Sequence, residues 1–249
     1  MKKIEKLIEI NKSALQFFLA SLDEHKEARD YLHKRLGEDT TIKFRLGYCP
    51  QTGLDWLENT DLRDAEGIGL ITFDFDDKFN KVYRNVFSNR IMIPIYHARR
   101  LVGFGGRALD PDSEIKYLNS KNSVLYQKGQ VLYGLDRARE HIYRAGYAIV
   151  VEGYFDVISL YSEGIKNCCA VCGSSLTKKQ AMLLKRYTNK VFTLFDGDNS
   201  GKRAGTRAKE RLEEIGIFGG TVILKRGYDP DTFIKKFGKK GLKRLPVIS

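Results

Sequence analysis

Hydrophobic positions change their period along this chain. Ile4, Leu7, Ile8, Leu15, Phe18, Leu19 and Leu22 recur at helical spacing, the mark of an amphipathic helix. A second helix is expected over residues 24–36, stopped by Gly37 in the C-cap position, and a short third over 40–45. Gly47-Tyr48-Cys49-Pro50 breaks the pattern, and residues 54–70 read as one or two helices with loops. From Gly69 the character turns to short strands, at 71–73, 81–84, 90–95 and 101–109. Pro94 marks its run as an edge strand or a bulged one. Gly103, Gly105 and Gly106 permit a bulge or the close approach of a ligand. Lys116 to Ser120 reads as a polar loop and residues 130–143 as a helix.

From Gly146 the pattern alternates. Strands are expected at 147–151, 168–171, 191–195 and 221–225, and helices at 156–163, 178–187 and 200–215. Ser174, Ser175 and Thr177 are candidate caps for the middle helix, and Thr177 with Gln180 forms a capping box. Uninterrupted apolar strands alternating with helices indicate a parallel sheet covered on both faces. The expected organisation is an N-terminal mixed α+β basic subdomain (1–140), an α/β domain with a Rossmann-type parallel sheet flanked by helices (141–235), and a basic tail (236–249). That tail, from Lys235, is expected to be either loose or nucleic-acid-facing.

The 249 residues, 42% hydrophobic, suffice for one large domain or two small ones. No stretch reaches the roughly 20 apolar residues of a membrane helix, and the mixed charges of the first six residues make a poor signal peptide. The expectation is a soluble cytoplasmic protein with no membrane partner. Net charge is +12, and it is uneven. Residues 141–249 hold 20 Lys+Arg against 10 Asp+Glu, whereas residues 1–140 hold 23 against 21. Excess positive charge favours a polyanion through counterion release, although an inert solvated surface has the same composition. Cys169 and Cys172 form a C-x-x-C, but there is no second pair and no His at finger spacing. A structural zinc takes four ligands, so no zinc is expected, and buried reduced thiols are the better reading.

Carboxylates gather where the apolar runs of the second half end. Glu152 ends the first run, Asp196 and Asp198 the third, and Asp229 and Asp231 follow the fourth. In a parallel sheet, ligands collect beyond the carboxyl ends of the strands. Adjacent strands lie about 4.8 Å apart, so these side chains are within reach of shared ions. The five candidate ligands are all hard oxygen donors, which favours Mg²⁺ or Mn²⁺. Two such ions would support phosphoryl or nucleotidyl transfer. The bland alternative is that individual acids, Asp156 and Asp198 above all, only cap helices. Gly197 to Arg203 lacks the G-x-x-x-x-G-K-[ST] spacing of a phosphate loop.

Glu152-Gly153-Tyr154-Phe155-Asp156-Val157 and Phe195-Asp196-Gly197-Asp198-Asn199-Ser200-Gly201 resemble the signature pair of a Toprim domain. Upstream, Arg90-Ile91-Met92-Ile93-Pro94-Ile95, Gly103-Phe104-Gly105-Gly106-Arg107, Lys116-Tyr117-Leu118-Asn119-Ser120 and Tyr126-Gln127-Lys128-Gly129-Gln130 resemble, in order, the basic subdomain of bacterial DnaG-type primases. Tyr31 to Arg35 and Phe44 to Tyr48 are similar to that family's helical entry region, and Asp229-Pro230-Asp231 to its third acidic motif. The resemblance runs from about Ala14 to Ile234. It implies a DNA-dependent RNA polymerase core, with a Toprim-like α/β domain, that makes short RNA primers on single-stranded DNA from ribonucleoside triphosphates. It implies that Glu152, Asp196 and Asp198 hold the catalytic Mg²⁺ or Mn²⁺, that Asp229 and Asp231 assist as ligands, and that Asp156 supports them. Arg35, Arg90, Arg107, Lys116, Tyr117, Asn119 and Lys128 fall on positions implied to contact nucleotide or template.

The chain departs from that family in places. Ser88 stands where an Arg is frequent, and Tyr228 where a Lys is common. Family members usually carry a zinc-binding domain before this region and a helical and helicase-binding part after it. The expectation is an excised core or a naturally short version, with a zinc-binding domain and a replicative helicase supplied elsewhere. Two other readings compete: a Toprim-type metal-dependent nuclease, and a non-catalytic DNA- or replisome-binding module.

Overall fold

A computed structural model describes residues 2–58, 60–173 and 175–248, and the chain divides into two compact units, up to Gln127 and from Lys128. The first unit opens with α1 (Lys2–Glu24), α2 (Lys26–Leu36) and α3 (Glu38–Phe44). One face of α1 is buried from Leu7 to Leu22 and includes Asn11, whose amide donates to the Leu101 carbonyl at 3.1 Å. That bond satisfies the one amide side chain in a stripe that is apolar apart from it and Ser21. Helix α3 ends on Arg45, whose φ of 53° is left-handed.

Gly47 to Pro50, expected as a break, contains a three-residue strand, β1 (Gly47–Cys49). It is invisible to periodicity because all three of its residues are buried. Gly47 presses on α1 so closely that a Cβ would lie 2.7 Å from the Phe18 carbonyl oxygen. Residues 54–70 form a 3-10 turn at Asp55–Leu57 and a six-residue helix, α4 (Leu62–Gly67). The strands β2 (Ile71–Phe75) and β3 (Lys81–Asn85) make a separate hairpin. Strands β4 (Arg90–His97), β5 (Arg100–Ala108) and β6 (Tyr117–Asn119) join β1 in an antiparallel sheet of order β1-β4-β5-β6.

Pro94 has both features its chemistry asks for. It lies beyond the stretch of β4 that β1 covers, Arg90 to Met92, and beside a register shift at Ile95/Tyr96. The polar segment 116–120, expected as a loop, pairs with β5 as β6. The glycines of β5 make room for protein rather than for a ligand. A Cβ on Gly106 would lie 2.7 Å from the Phe87 ring, and one on Gly103 would lie 3.0 Å from Ser120 Oγ. The core of this unit joins α1 to the sheet, with Phe18 edge-on to Phe104 at 5.3 Å and 88°.

The second unit is built on a five-stranded sheet of order β11-β10-β9-β7-β8, parallel except for β11. Its elements in chain order are α5 (Leu135–Ala145), β7 (Ala148–Val151), α6 (Tyr154–Ser162), β8 (Cys168–Ala170), α7 (Lys178–Lys185), β9 (Lys190–Thr193), α8 (Asn199–Glu213), β10 (Phe218–Val222), α9 (Pro230–Leu242) and β11 (Val247–Ile248). Helix α5 starts five residues later than its pattern suggests. A 3-10 turn at Lys128–Gln130 and the left-handed Gly134 (φ 79°) precede it, while Tyr133 bridges antiparallel to Ala170. Strand β10 lies three residues earlier than expected, because its register depends on glycine. At Gly219 (φ 148°) a Cβ would sit 1.7 Å from the Val191 carbonyl oxygen. Of the candidate caps for α7, Ser174 lies outside the described residues, and Thr177 with Gln180 forms the box.

The basic segment after Lys235 is not loose. It continues α9, broken at Gly238 (φ 62°), and returns as β11 against β10. Cys49, Cys168 and Cys169 are buried free thiols and Cys172 is partly exposed. Among the described residues, no helix is long and apolar enough to cross a membrane.

The Gly47 contact yields a prediction. Gly47→Ala forces a methyl group against the Phe18 backbone, and the variant loses about 1–3 kcal/mol, the usual cost of overpacking. Thermal and denaturant unfolding measure it, and a variant as stable as the parent contradicts the contact.

Candidate active site

The carboxylates of the second unit meet at the carboxyl end of the parallel sheet. Strands β7 and β9 are neighbours, with Val150 opposite Thr193. The ladder continues past them through Leu194 N–H to the Val150 carbonyl at 2.8 Å. Two residues on, the Glu152 side chain accepts from the Asp196 N–H at 3.1 Å. Glu152 is thereby fixed at the mouth of the sheet rather than extended into solvent. Burial raises its pKa, the Asp196 N–H opposes the rise, and the Asp198 charge adds to it.

Two glycines allow this crowding. A Cβ on Gly201 would lie 2.2 Å from the Asp196 carbonyl oxygen, and one on Gly197 would lie 2.2 Å from that of Lys225. The Gly197 N–H donates to the Tyr228 carbonyl at 2.9 Å, which draws the Asp229 loop to the Asp196 loop.

The other acids hold the helices that begin here. Asp198 caps α8 by accepting from Gly201 N–H at 2.7 Å. Asp229 caps α9 through Thr232 N–H, also at 2.7 Å. Asp156, in the first turn of α6, accepts from Gly153 N–H at 2.9 Å and from Asp231 N–H at 3.1 Å. Burial pushes the Asp156 carboxyl well above the ordinary range, and the charges of Asp229 and Asp196 add to the effect. Asp231 is 1% exposed, and its Oδ1 accepts from Ser159 Oγ at 2.5 Å and pairs with Lys235 at 2.6 Å.

The bland reading of Asp156 and Asp198 as caps is therefore realised in the fold. It does not exhaust them: an ionised carboxylate has about four acceptor sites, of which these N–H bonds take one on Asp198 and two on Asp156. Among the described residues, no three carboxylate, imidazole or thiol groups close around a point as a preformed metal cage. The donor set is nonetheless oxygen-only. Burial, with the charges of neighbouring acids adding to it, shifts Glu152 and Asp156 toward the protonated form, and a divalent cation beside such carboxylates favours the ionised form.

Lys128 belongs to this unit. Its carbonyl and that of Val131 accept from the buried Gln180 amide at 3.2 and 2.7 Å, and Thr177 Oγ donates to the Gly129 carbonyl at 2.5 Å. The capping box was legible in sequence, but this use of it was not, because the acceptors lie about 50 residues away. The Lys128 side chain runs beside Gly173, just past β8. The neighbouring Cys172 N–H donates to the Glu152 carbonyl at 3.1 Å.

The first unit gathers a second set. Arg107 donates to the Tyr117 hydroxyl at 2.6 Å, and its guanidinium lies 5.2 Å from the Tyr117 ring and 5.6 Å from the Tyr31 ring. Arg35 donates to the Tyr31 hydroxyl at 3.2 Å. Burial of the Tyr117 hydroxyl pushes its pKa up to about 12, against the lowering pull of Arg107 and Arg35. Tyr31, absent from the sequence-based candidates, shares the cluster. Its signal was available as the i, i+4 spacing to Arg35 on a helix. Arg90 donates to the Ile115 carbonyl at 2.7 Å, Lys116 is exposed, and Asn119 sits in β6 opposite Gly105. Arg35, Arg107 and Tyr117 are thus brought together, while Arg90 holds the segment leading into β6.

Comparison with known proteins decides the family. Residues 17–139 match the DNA primase catalytic core, N-terminal domain, and residues 149–234 match the Toprim-like family. The structure described as the DnaG catalytic core superposes with a TM-score of 0.85 at 31% identity, over 97% of this chain and 80% of that one. The chain belongs to the DnaG-type primase family. The crystal structure of the Aquifex aeolicus primase, with zinc-binding and RNA polymerase domains, gives a TM-score of 0.90 at 37% identity, covering all of this chain and 63% of that one. A DnaG primase catalytic domain bound to ssDNA gives 0.86 at 30%, over 99% of this chain and 83% of that one. In sequence, the DNA primase of Aquifex aeolicus (strain VF5) is 42% identical over 98% of this chain and 49% of its own length. That of Clostridium acetobutylicum is 37% identical over 98% and 41%. The chain spans about half the length, or less, of these curated DnaG-type relatives.

The glycine contact at Asp196 is testable. Gly201→Ala pushes the Asp196 backbone away and costs about 1–3 kcal/mol of stability. It also weakens Mn²⁺ binding, read by electron paramagnetic resonance. Unchanged Mn²⁺ affinity in the variant removes Gly201 from the geometry of the site.

Proposed function

We propose that this chain is the catalytic core of a DNA primase, a DNA-directed RNA polymerase that joins ribonucleotides into short primers on a single-stranded DNA template. The observation that carries the reading is the hydrogen bond from Asp196 N–H to Glu152, which brings acids from two adjacent strands to one point. Family membership supplies the reaction class that such a point serves.

Glu152, Asp196 and Asp198 would hold Mg²⁺ or Mn²⁺, with Asp229 on the adjoining loop as a further oxygen donor. When bound, the metal lowers the pKa of the attacking hydroxyl and neutralises charge on the phosphoryl oxygens. Asp156 and Asp231 serve differently in this reading. Asp156 ties α6 to α9 through the Asp231 N–H, and Asp231 holds Ser159 and Lys235. They fix the loops that present the other acids. Arg107, steadied by Tyr117 and Tyr31 and seconded by Arg35, presents a guanidinium fork suited to phosphate. Lys128 presents an ammonium group beside the loop that follows β8. Lys116, Asn119 and Arg90 extend the polar surface toward template or nucleotide.

Asp196→Asn removes a ligand charge and lowers primer synthesis by roughly 10²-fold or more, with little change in melting temperature. The assay follows labelled ribonucleotides on single-stranded DNA with Mg²⁺ and with Mn²⁺, while strand breakage is monitored in the same reaction. Full activity in the variant removes Asp196 from the site. Breakage without synthesis by the parent protein replaces the polymerase with a nuclease. Arg107→Ala raises the KM for ribonucleotide about tenfold or more, matching the loss of one charge-assisted hydrogen bond of roughly 1.5–3 kcal/mol. An unchanged KM assigns Arg107 to structure alone.

A further inference from the structure

A second site lies within the first unit. A cavity of about 340 Å³ opens between α1 and the β4–β5 hairpin. Its volume falls at the lower end of the roughly 300–1,000 Å³ of small-molecule sites, and far exceeds what a lone ion needs. Ile8, Leu15 and Leu101 give it an apolar lining, and Tyr96 adds an aromatic ring. Three guanidinium groups, from Arg45, Arg99 and Arg100, join that lining. Lys12 and Glu9, also in the lining, are paired with each other at 2.7 Å, and Glu5 adds one further carboxylate, so the three arginines leave the lining net positive. Arg45 reaches the Tyr96 hydroxyl at 3.5 Å.

The backbone around this cavity is held in rare conformations. Among the described residues, six non-glycine positions have positive φ. Two of them, Arg45 (53°) and Arg99 (65°), line this cavity, and a third, Ala98 (49°), directly precedes Arg99. Ala98 and Arg99 form a two-residue loop between His97 and Arg100, the last pair of the β4–β5 ladder. Such a loop takes Asn-Gly or Gly-Gly by preference, because both central residues must be left-handed. Here the loop carries an arginine instead. Left-handed backbone at non-glycine residues gathers at ligand clamps, and here it places Arg45 and Arg99 at the rim of a cavity with an apolar floor.

We infer that this cavity binds a nucleoside 5′-phosphate, with Arg45, Arg99 and Arg100 on the phosphate and Tyr96, Ile8, Leu15 and Leu101 against the nucleoside. Guanidinium forks match phosphate oxygens bidentately. An aromatic ring over an apolar floor suits a base, since every base presents a π-face. The cavity uses no carboxylate of the second unit, so its ligand binds without a divalent metal.

Isothermal titration of the whole chain with adenosine 5′-monophosphate in EDTA tests this. Saturable one-to-one binding is expected, with inorganic phosphate weaker by about tenfold or more. The double variant Arg45→Gln/Arg100→Gln loses about tenfold or more in affinity. Arg45→Lys/Arg100→Lys, which keeps the charge and removes the forks, loses less. In the parent protein, the methyl resonances of Ile8, Leu15 and Leu101 shift on titration, which keeps the test decisive if a variant does not fold. A 5′-phosphorylated trinucleotide that competes equally assigns the ligand to a strand end, and failure to compete assigns it to free nucleotide; either result supports the phosphate site. Absence of saturable binding in EDTA, unaltered affinity in the Gln variant, unmoved methyl resonances, or inorganic phosphate binding as tightly as the nucleotide overturns the proposal.

Discussion

The acidic end of the second unit depends on how closely the backbone passes itself there. At Gly197 the chain runs against the Lys225 carbonyl, and at Gly201 the first turn of α8 runs against Asp196. Neither approach tolerates a side chain. Given that closeness, the Gly197 N–H reaches Tyr228 and the Asp196 N–H reaches Glu152. Three loops that follow different strands are laced together by hydrogen bonds donated from the main chain, one to the Tyr228 carbonyl and one to the Glu152 carboxylate, before any ligand is considered. The carboxylates are then placed by backbone geometry, which is stiffer than side-chain packing.

This arrangement sets two demands against each other. Helix N-termini favour negative charge through their unpaired N–H groups and dipole, and α6, α8 and α9 all begin at this end of the sheet. That favours Asp156, Asp198 and Asp229 one at a time. Together, and partly buried, they repel: burial is the main cause that raises the pKa of Glu152 and Asp156, and the neighbouring acids add to it. The fold thus makes each acid locally acceptable while keeping the group short of positive charge. Capping does not use these residues up: it fixes their geometry and leaves acceptor sites open.

Much of this was legible in the sequence, for definite reasons. The alternation of buried strands and helices after Gly146 has a strong period, so the parallel sheet and its acidic end could be read directly. Helix α1 was equally plain. Elements with no period were not: β1 is buried throughout, and β6 is polar. Strand β10 was misplaced because its pairing depends on Gly219 and Gly220, which carry no hydrophobic signal. The contacts by which Asp156 and Asp231 act were hidden for another reason. Their partners, Gly153 N–H, Ser159 and Lys235, include contacts about 75 residues away that only the tertiary fold reveals. The same holds for Tyr31, whose ring meets Arg107 from across the first unit.

The margins of the parallel sheet carry one further consequence. On one side, Val247 and Ile248 pair with β10. On the other, Tyr133 exchanges both main-chain hydrogen bonds with Ala170 of β8, each at 2.9 Å. An open strand edge is a template for adding a strand from another molecule. Here each outer edge is occupied by a segment of one or two residues, too short to propagate the ladder. Short closing segments of this kind keep a sheet from growing between molecules.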